Sequence, residues 1–201
     1  VIGAGAGGLN IASFMNSLGL RVLLIDKSEE RIGGDCLNYG CVPSKALIHV
    51  ARLFRAGREA VAFGAAPAGN ANLRTVKAHI KRAQGTIREH ESAAYFREKG
   101  MTVVIGAASF VDPKTISVNK QTYTAKRIII ATGSRPRELL IPGVERVKEL
   151  GRYHTNETIF DIEVLPKHLL VIGGGPIGVE LGQVFGHLGS RVTIVTPENH
   201  L

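Results

Sequence analysis

The chain has 201 residues, of which 44% are hydrophobic and 24 are glycine, and this composition allows one or two domains with a substantial core. The 25 Lys and Arg against 17 Asp and Glu give a net charge of +8, but the basic residues are scattered along predicted helix faces without a nucleic-acid-binding motif, which disfavours a nucleic-acid partner. No apolar run approaches the roughly 20 residues of a membrane span, and no basic and apolar leader precedes the first element, so we expect a cytoplasmic protein with no membrane partner.

The first predicted element is a short strand at Val1-Ile2, and we expect the sequence to start inside that strand. A glycine turn with the spacing G-x-G-x-x-G follows, formed by Gly3, Gly5 and Gly8. In such a turn one glycine permits the tight bend, one lets the backbone approach a pyrophosphate, and one allows close packing of helix on strand. The helix that follows is predicted to present its first N–H groups to phosphate oxygens.

A helix and a second strand complete this pattern. The helix is predicted to end at Gly19 and to carry an apolar face made of Ile11, Phe14, Met15 and Leu18. The strand 21–25 is predicted to be buried, and it ends at Asp26, where an acidic side chain can accept hydrogen bonds from ribose hydroxyls. This order of strand, turn, helix, strand and terminal acid predicts a dinucleotide-binding fold.

Both cysteines of the chain lie soon after this fold. Cys36 and Cys41 are five residues apart, a spacing that a regular helix holds beyond disulfide reach, so bridging them needs a distorted or looped turn. Asn38 and Gly40 tolerate the backbone angles of such a turn, and a helix is expected to begin at about residues 42–45. Thiols at a helix start beside a lysine are expected to be acidic and competent for exchange. The alternative is that both cysteines are buried apolar fillers.

The middle of the chain is predicted to contain two long helices and then short strands. The helices are expected at 44–63 and 72–99, with the second packing on the first through a thin apolar stripe that carries no catalytic signal. Strands are expected at 102–105, 108–111, 115–118 and 123–130, around a turn at 112–114. The end of the last strand is predicted to be buried in the main sheet and to lead into Ala131, Thr132 and Gly133.

After a polar connection at 142–166, the first pattern recurs. A strand at 168–172, a helix at 179–188 and a strand at 190–195 surround a second G-x-G-x-x-G turn formed by Gly173, Gly175 and Gly178. Two such turns predict two bound nucleotides. Thr196 stands where an acid would select NAD, which slightly favours NADP.

The stretch from Gly33 to Lys45 resembles the redox motif GG-x-C-x-N-x-GC-x-P-x-K of the pyridine nucleotide-disulfide oxidoreductases, and it matches every fixed position. The resemblance implies an α/β fold: a Rossmann-like, doubly wound FAD-binding domain with a small β-meander, followed by the start of a second Rossmann-like NAD(P)-binding domain. These domains are expected at residues 1–151 and 152–201, both incomplete in this sequence. FAD would bind at the first glycine turn and NAD(P)H at the second.

The resemblance also implies individual roles. Cys41 would be the flavin-proximal, charge-transfer thiol and Cys36 the interchange thiol that meets the substrate. Lys45 would lie near the isoalloxazine with Glu180 as its ion-pair partner, unless Glu180 is an ordinary helix carboxylate. Ala107 would lie near the adenine, and the segment Ala131, Thr132 and Gly133 would form a second FAD contact.

One position departs from the family pattern. Related motifs usually have Thr or Ser where Asp35 stands, and a carboxylate beside a pyrophosphate would be repelled. We therefore expect Asp35 to point elsewhere or to cap a backbone group.

The resemblance thus implies an FAD-dependent oxidoreductase that passes hydride equivalents between NAD(P)H, flavin and a Cys36–Cys41 disulfide. It most resembles mercuric reductase or dihydrolipoamide dehydrogenase, so the substrate would be a small disulfide or Hg(II), with no resident metal. The alternative is a non-catalytic flavin- or nucleotide-binding module, or a redox sensor.

The catalytic acid and base cannot be assigned among the histidines of this sequence. In the family, that histidine lies near the far C-terminus and is contributed by the other subunit of a homodimer. We therefore expect the full-length protein to be a homodimer and residues 1–201 alone to be inactive. The histidines here are expected to be surface or packing residues: His49, His79, His90, His154, His168, His187 and His200.

Overall fold

The computed structural model describes residues 1–67 and 69–197. The described helices and strands, in chain order, are α1 (Ala6–Ser17), β1 (Leu23–Asp26), α2 (Gly34–Asn38), α3 (Cys41–Ala60), α4 (Leu73–Arg88), α5 (Ala93–Glu98), β2 (Thr102–Ile105), β3 (Ala108–Asp112), β4 (Thr115–Val118), β5 (Gln121–Thr124), α6 (Val144–Glu149), β6 (His168–Ile172), α7 (Pro176–Leu188) and β7 (Arg191–Val195). Among these residues, no helix combines the length and hydropathy needed to cross a membrane.

The chain forms two compact units, one made of residues 1–41 and 84–137 and the other of residues 42–83 and the part after 137. Each unit is therefore built from two separate stretches of sequence. The assignment of residues 1–151 to FAD binding and of 152–201 to NAD(P)H binding stays a prediction.

The first unit contains a parallel sheet that surrounds the first glycine turn. β1 pairs with β2 in parallel, with Leu23 opposite Thr102, and the backbone at Ile2 bridges in parallel to both Ile25 and Ile130. The chain therefore returns to the main sheet beside the first strand, as predicted. Ile130 is nevertheless 64% exposed, so the prediction that this strand end is buried is wrong.

β1 is buried on both faces because its alternate side chains enter different clusters. Leu24 packs with Leu9 and Ala12 of α1 and with Phe96 of α5. Ile25 packs with side chains of β4, which belongs to an antiparallel meander in the order β3-β4-β5. A strand with apolar side chains on both faces is typical of parallel sheets, and this arrangement confirms the predicted mixed α/β architecture.

Three details of the structure differ from the sequence-based expectation. On α1, the face toward the sheet contains Leu9 and Ala12, whereas Phe14 and Leu18 are each 61% exposed and Ile11 is exposed as well. The last meander strand ends at Thr124 instead of continuing to residue 130.

The third difference is that the predicted helix 72–99 is two helices. α4 ends at Arg88, and Ser92 caps α5 by accepting a hydrogen bond from the backbone N–H of Tyr95. A side-chain cap of this kind offers the backbone an alternative to continuing the preceding helix.

In the second unit, α3 and α4 pack on each other, as predicted. Leu47 and Ala51 of α3 contact the stripe formed by Leu73, Val76 and Ile80 of α4. The unit also contains the parallel pair β6–β7 and α7, whose Phe185 is 1% exposed in the same cluster. The helix predicted at 44–63 begins earlier, at Cys41, and ends at Ala60, and its Leu53 is exposed.

Replacing Phe185 by alanine should lower the free energy of unfolding by about 3–5 kcal/mol, because it empties a large, fully enclosed volume. Phe63 is the matched control, since it is 92% exposed, and Phe63→Ala should change this free energy by less than about 0.5 kcal/mol. Urea denaturation followed by circular dichroism measures both variants. Equal midpoints for the two would contradict the burial of Phe185.

Candidate active site

The first glycine turn brings the backbone of two chain segments unusually close together. Gly3 has a φ of +103°, and a Cβ there would overlap the carbonyl oxygen of Ala131. A Cβ at Gly8 would overlap the carbonyl oxygen of Gly3, so the first turn of α1 packs directly on the glycine turn. Both positions accept only glycine, and the N-terminal end of α1 is thereby held where backbone N–H groups and the helix dipole favour an anion.

A cavity of about 720 Å³ opens in front of this turn. It lies where the sheet strands end and the helix begins, which is the usual binding crevice of open α/β sheets. Its wall includes the following residues that sequence analysis assigned to a site: Gly3, Gly5, Asp26, Cys36, Ala131, Thr132 and Gly133. Gly8 and Ala107 are not part of the wall, although the two neighbours of Ala107, Gly106 and Ala108, are.

Asp26 is held by backbone donors at the end of β1. Its Oδ2 accepts a hydrogen bond of 2.7 Å from the N–H of Ala4, and its Oδ1 accepts one of 2.7 Å from the N–H of Lys27. These two bonds fix the orientation of the carboxylate, and Asp26 belongs to the cavity wall. Each oxygen can accept a further hydrogen bond, so the arrangement suits recognition of hydroxyl groups.

The wall of the cavity carries charges of both signs. Its lining residues include three basic ones, Lys27, Arg31 and Arg135, and the two acidic ones Asp26 and Asp35. Asp35 belongs to the wall and is exposed, and the expectation that its carboxylate points elsewhere or caps a backbone group stays a prediction. The three cations were not identified from the sequence, since nothing in their local pattern distinguishes them from surface residues.

The two cysteines lie on either side of a short break between helices. α2 ends at Asn38, Tyr39 and Gly40 form the joint, and α3 begins at Cys41. The predicted looped turn is therefore confirmed. Gly40 is needed for space, because a Cβ there would lie 2.9 Å from the carbonyl oxygen of Asp35.

Asn38 has a different role from the one expected. It is the last residue of α2, and neither Asn38 nor Gly40 has a positive φ, so the unusual backbone angles expected of these two residues are absent. Instead the buried side chain of Asn38 donates hydrogen bonds to the carbonyl oxygens of Gly34 at 2.9 Å and Ile32 at 3.4 Å.

Both cysteines carry thiols in this structure, and the two interact. The hydrogen bond between their side chains, with partial burial of Cys36 and the charge of Cys41, raises the pKa of the Cys36 thiol above its ordinary value. The expectation of an acidic thiol is therefore wrong for Cys36, because its sulfur faces a second thiol. Cys41, in contrast, is exposed and begins α3.

In the second unit, the predicted ion pair between Lys45 and Glu180 is present. The Lys45 Nζ lies 2.9 Å from Oε1 and 2.8 Å from Oε2 of Glu180, so the ammonium bridges both carboxylate oxygens. These bonds lower the pKa of Glu180 below its ordinary value, with a further contribution from Ser44. The contact makes Glu180 more than an isolated surface carboxylate.

The second glycine turn repeats the packing of helix on turn seen in the first. Gly173 has a φ of +116°, Gly175 precedes α7, and a Cβ at Gly178 would overlap the carbonyl oxygen of Gly173. β7 ends at Val195, directly before Thr196. The second fold therefore has the predicted strand, turn, helix and strand.

The histidines form no metal centre in the part of the chain that the structure describes. No group of three or more His, Cys, Asp or Glu side chains comes together there. His168 bonds to Thr193 Oγ1 at 2.9 Å, and the rings of His49 and His79 lie 6.2 Å apart. His200 lies outside the described residues.

Comparisons with known proteins point to one family. The family model described as pyridine nucleotide-disulphide oxidoreductase matches residues 1–201. A dihydrolipoyl dehydrogenase of Mycoplasma genitalium is 36% identical over 97% of this chain and 42% of its own length. A mercuric reductase of Lysinibacillus sphaericus is 33% identical over 100% of this chain and 36% of its own length.

Solved structures agree with these relatives. The Cu(II) complex of the HOCl-induced flavoprotein disulfide reductase RclA from Escherichia coli superposes with a TM-score of 0.79 at 27% sequence identity, over 96% of this chain and 40% of that chain. This chain therefore spans only 36% to 42% of the length of these relatives.

Replacing Cys41 by alanine should lower the pKa of Cys36 toward its ordinary value, because it removes the hydrogen bond that is the largest cause of the increase. At pH values between the two pKa values, Cys36 would then be more fully ionised and would react faster with iodoacetamide. The pH dependence of alkylation, followed by mass spectrometry of the reduced protein, measures this. Glu91→Gln is the control, since Glu91 is the smallest cause and should shift the midpoint less. An unchanged midpoint in Cys41→Ala would contradict the contact.

Proposed function

The chain belongs to the pyridine nucleotide-disulphide oxidoreductase family, and on that premise we propose that the full-length protein is an FAD-dependent enzyme that passes hydride equivalents between NAD(P)H, flavin and a Cys36–Cys41 disulfide. The single observation that carries the proposal is that Cys36, which is hydrogen-bonded to Cys41, belongs to the wall of the cavity in front of the first glycine turn. A thiol pair that borders a nucleotide crevice is placed for electron exchange with the ligand of that crevice.

The residues of the cavity fit FAD. The glycine turn lets α1 begin directly at the cavity, because a Cβ at Gly3 or Gly8 would overlap backbone carbonyl groups, and the first N–H groups of α1 with Lys27, Arg31 and Arg135 suit a pyrophosphate. Asp26 suits a ribose, because its backbone-held carboxylate has acceptor capacity left. When bound, FAD supplies a carrier that accepts a hydride from a nicotinamide and transfers two electrons to a disulfide.

The proposed reaction is a two-electron transfer from NAD(P)H to the disulfide. NAD(P)H loses a hydride and becomes NAD(P)⁺, the S–S bond between Cys36 and Cys41 breaks, and the two sulfurs receive two electrons. One proton from solvent together with the hydride completes two thiols. The reduced pair then passes its electrons to the substrate, or the sequence runs in reverse.

Cys36 suits the role of the thiol that stays protonated when the pair is reduced. Its raised pKa keeps the proton on Cys36 in the reduced pair, which leaves Cys41 as the sulfur that accepts its hydrogen bond. We retain the family roles, with Cys41 as the charge-transfer thiol and Cys36 as the interchange thiol. Because Cys36 belongs to the cavity wall, the reverse assignment has a geometric argument as well, and spectra of the two variants separate the assignments.

We assign NAD(P)H to the second glycine turn. The support is the repeated close packing of Gly178 on Gly173 at the start of α7, which prepares a second helix N-terminus for a pyrophosphate. Lys45 and Glu180 are proposed as flavin contacts from the family resemblance. Their ion pair supports the proposal that the two residues act together.

The substrate class that we propose is a small disulfide or Hg(II), since the relatives include a dihydrolipoyl dehydrogenase and a mercuric reductase. A homodimer and a cytoplasmic location belong to the same proposal. A non-catalytic redox sensor is the second candidate, favoured by the hydrogen bond between the two thiols, which would respond to oxidation without any flow of hydride.

Gly3→Ala in the full-length protein should weaken flavin retention. A non-glycine residue with this φ costs about 1–3 kcal/mol and also meets the Ala131 carbonyl, so we expect the affinity to fall about tenfold or more. The flavin content after purification measures the effect, with circular dichroism to verify folding. Gly85→Ala is the control, because a Cβ there meets nothing within 4 Å. Full flavin content in Gly3→Ala would refute the assignment of the cavity to FAD.

Two-electron reduction of the full-length holoenzyme should produce a long-wavelength absorbance shoulder, because a thiolate next to oxidised flavin can donate charge to it. Cys41→Ser should abolish the shoulder, and Cys36→Ser should preserve it. The opposite outcome would exchange the two roles. Absence of the shoulder in the unmodified holoenzyme, combined with no NAD(P)H oxidation, would favour the sensor.

A further inference from the structure

The end of α2 is completed by a side chain from a distant helix. Because α2 has five residues, its last carbonyl groups have no partner within the helix. The Nε2 of Gln84 on α4 donates hydrogen bonds to two of them, at 2.9 Å to Leu37 O and 3.0 Å to Asn38 O. Gln84 is only 4% exposed, so these bonds lie in the interior of the first unit.

Arg88, one turn further along α4, holds the same segment from another side. Its Nη2 donates to the side-chain oxygen of Asn38, and its Nη1 donates to the carbonyl oxygen of Glu30 at 3.2 Å. The Asn38 amide in turn donates to Gly34 O at 2.9 Å. Gln84, Arg88 and Asn38 thus form one connected polar network, which we call the α4 clamp.

The segment held by the α4 clamp is the one that separates the two thiols. Leu37 and Asn38 lie between Cys36 and Cys41, and the remaining joint is closed by the Tyr39 N–H, which donates to Asp35 O at 2.8 Å. The backbone from Cys36 to Cys41 therefore has little freedom while Gln84 and Arg88 are in place.

Gln84 occupies a position where the helical pattern calls for an apolar side chain. Val76, Ile80 and Gln84 follow one another at a spacing of four, and the first two are core residues of the second unit. A buried amide is costly unless its donors are satisfied, and the two N–H groups of this amide match the two carbonyl oxygens of α2 in number.

We propose that Gln84 and Arg88 are positioning residues for the thiol pair: they hold the segment between Cys36 and Cys41 so that the sulfurs stay adjacent, and they thereby favour the disulfide over the dithiol. The inference rests on the proposed function, since it concerns the redox chemistry of the same pair. This positioning role of α4 does not depend on the binding of flavin or nicotinamide.

The direction of the effect follows from conformational entropy. A disulfide restricts the joint whether or not the α4 clamp is present. In the dithiol, the joint is restricted only when the α4 clamp is present. Loss of the clamp therefore releases the dithiol more than the disulfide and shifts the equilibrium toward the dithiol. The same loosening would weaken the hydrogen bond between the two thiols.

The test uses the full-length protein equilibrated anaerobically with glutathione, in which the protein dithiol and glutathione disulfide exchange with the protein disulfide and two glutathione thiols. Trypsin cleaves after Arg31 and Lys45, so one peptide, residues 32–45, contains both cysteines and reports the oxidised fraction after alkylation. For Gln84→Met, which keeps the shape and removes both donors, we expect the equilibrium constant for disulfide formation to fall about tenfold, which is about 30 mV.

A second readout is the alkylation of Cys36 in the reduced protein, whose pH midpoint should move to lower pH in Gln84→Met. Arg88→Met should shift both quantities in the same direction by less, and it carries the test if Gln84→Met does not fold. Ile80→Ala is the control, because it empties a buried site on the same helix without touching α2. It should lower stability and leave both readouts unchanged.

Wild-type values of both readouts in folded Gln84→Met, or equal shifts in Ile80→Ala, would overturn the inference and leave the proposed function intact. Failure of the unmodified protein to form any disulfide in peptide 32–45 would overturn the proposed function together with it.

Discussion

The close approach of the Gly3 backbone to the Ala131 carbonyl is the constraint on which the rest of the first unit depends. Ile2 lies in parallel register between Ile25 and Ile130, so three strand ends meet at one point. Only glycine lets the chain turn there without displacing Ala131. The start of α1, the carboxylate of Asp26 and the segment after Ala131 then face one crevice, because each follows directly from one of these strand ends.

The contact between the two thiols depends on the break between α2 and α3. A continuous helix would separate Cys36 and Cys41, whereas the joint at Tyr39 and Gly40 brings their side chains into contact. The break exposes carbonyl groups that need donors, and the structure supplies these from α4. The order of the segment between the two cysteines is therefore provided by residues far away in sequence, and local helix propensity contributes little to it.

Features that depend on a few neighbouring residues could be predicted from the sequence. Both glycine turns, the looped turn between the cysteines, the meander and the Lys45–Glu180 contact followed from motif spacing or family resemblance. Errors arose where distant packing decides the outcome. The exposure of Phe14 and Leu18, the break before Ser92 and the raised pKa of Cys36 each depend on contacts that no local pattern encodes. Gln84 did leave a signal, since it is a polar residue on an otherwise apolar stripe.

Two of the three places where the chain passes from one unit to the other lie within helices. The boundaries at residues 41/42 and 83/84 fall inside the continuous helices α3 and α4, while the boundary at 137/138 lies outside the regular elements. Recombination at either of the first two positions would cut a helix and separate core residues from the turns they support. Exchange of one unit for a related one would therefore have to keep both helices continuous across these two junctions.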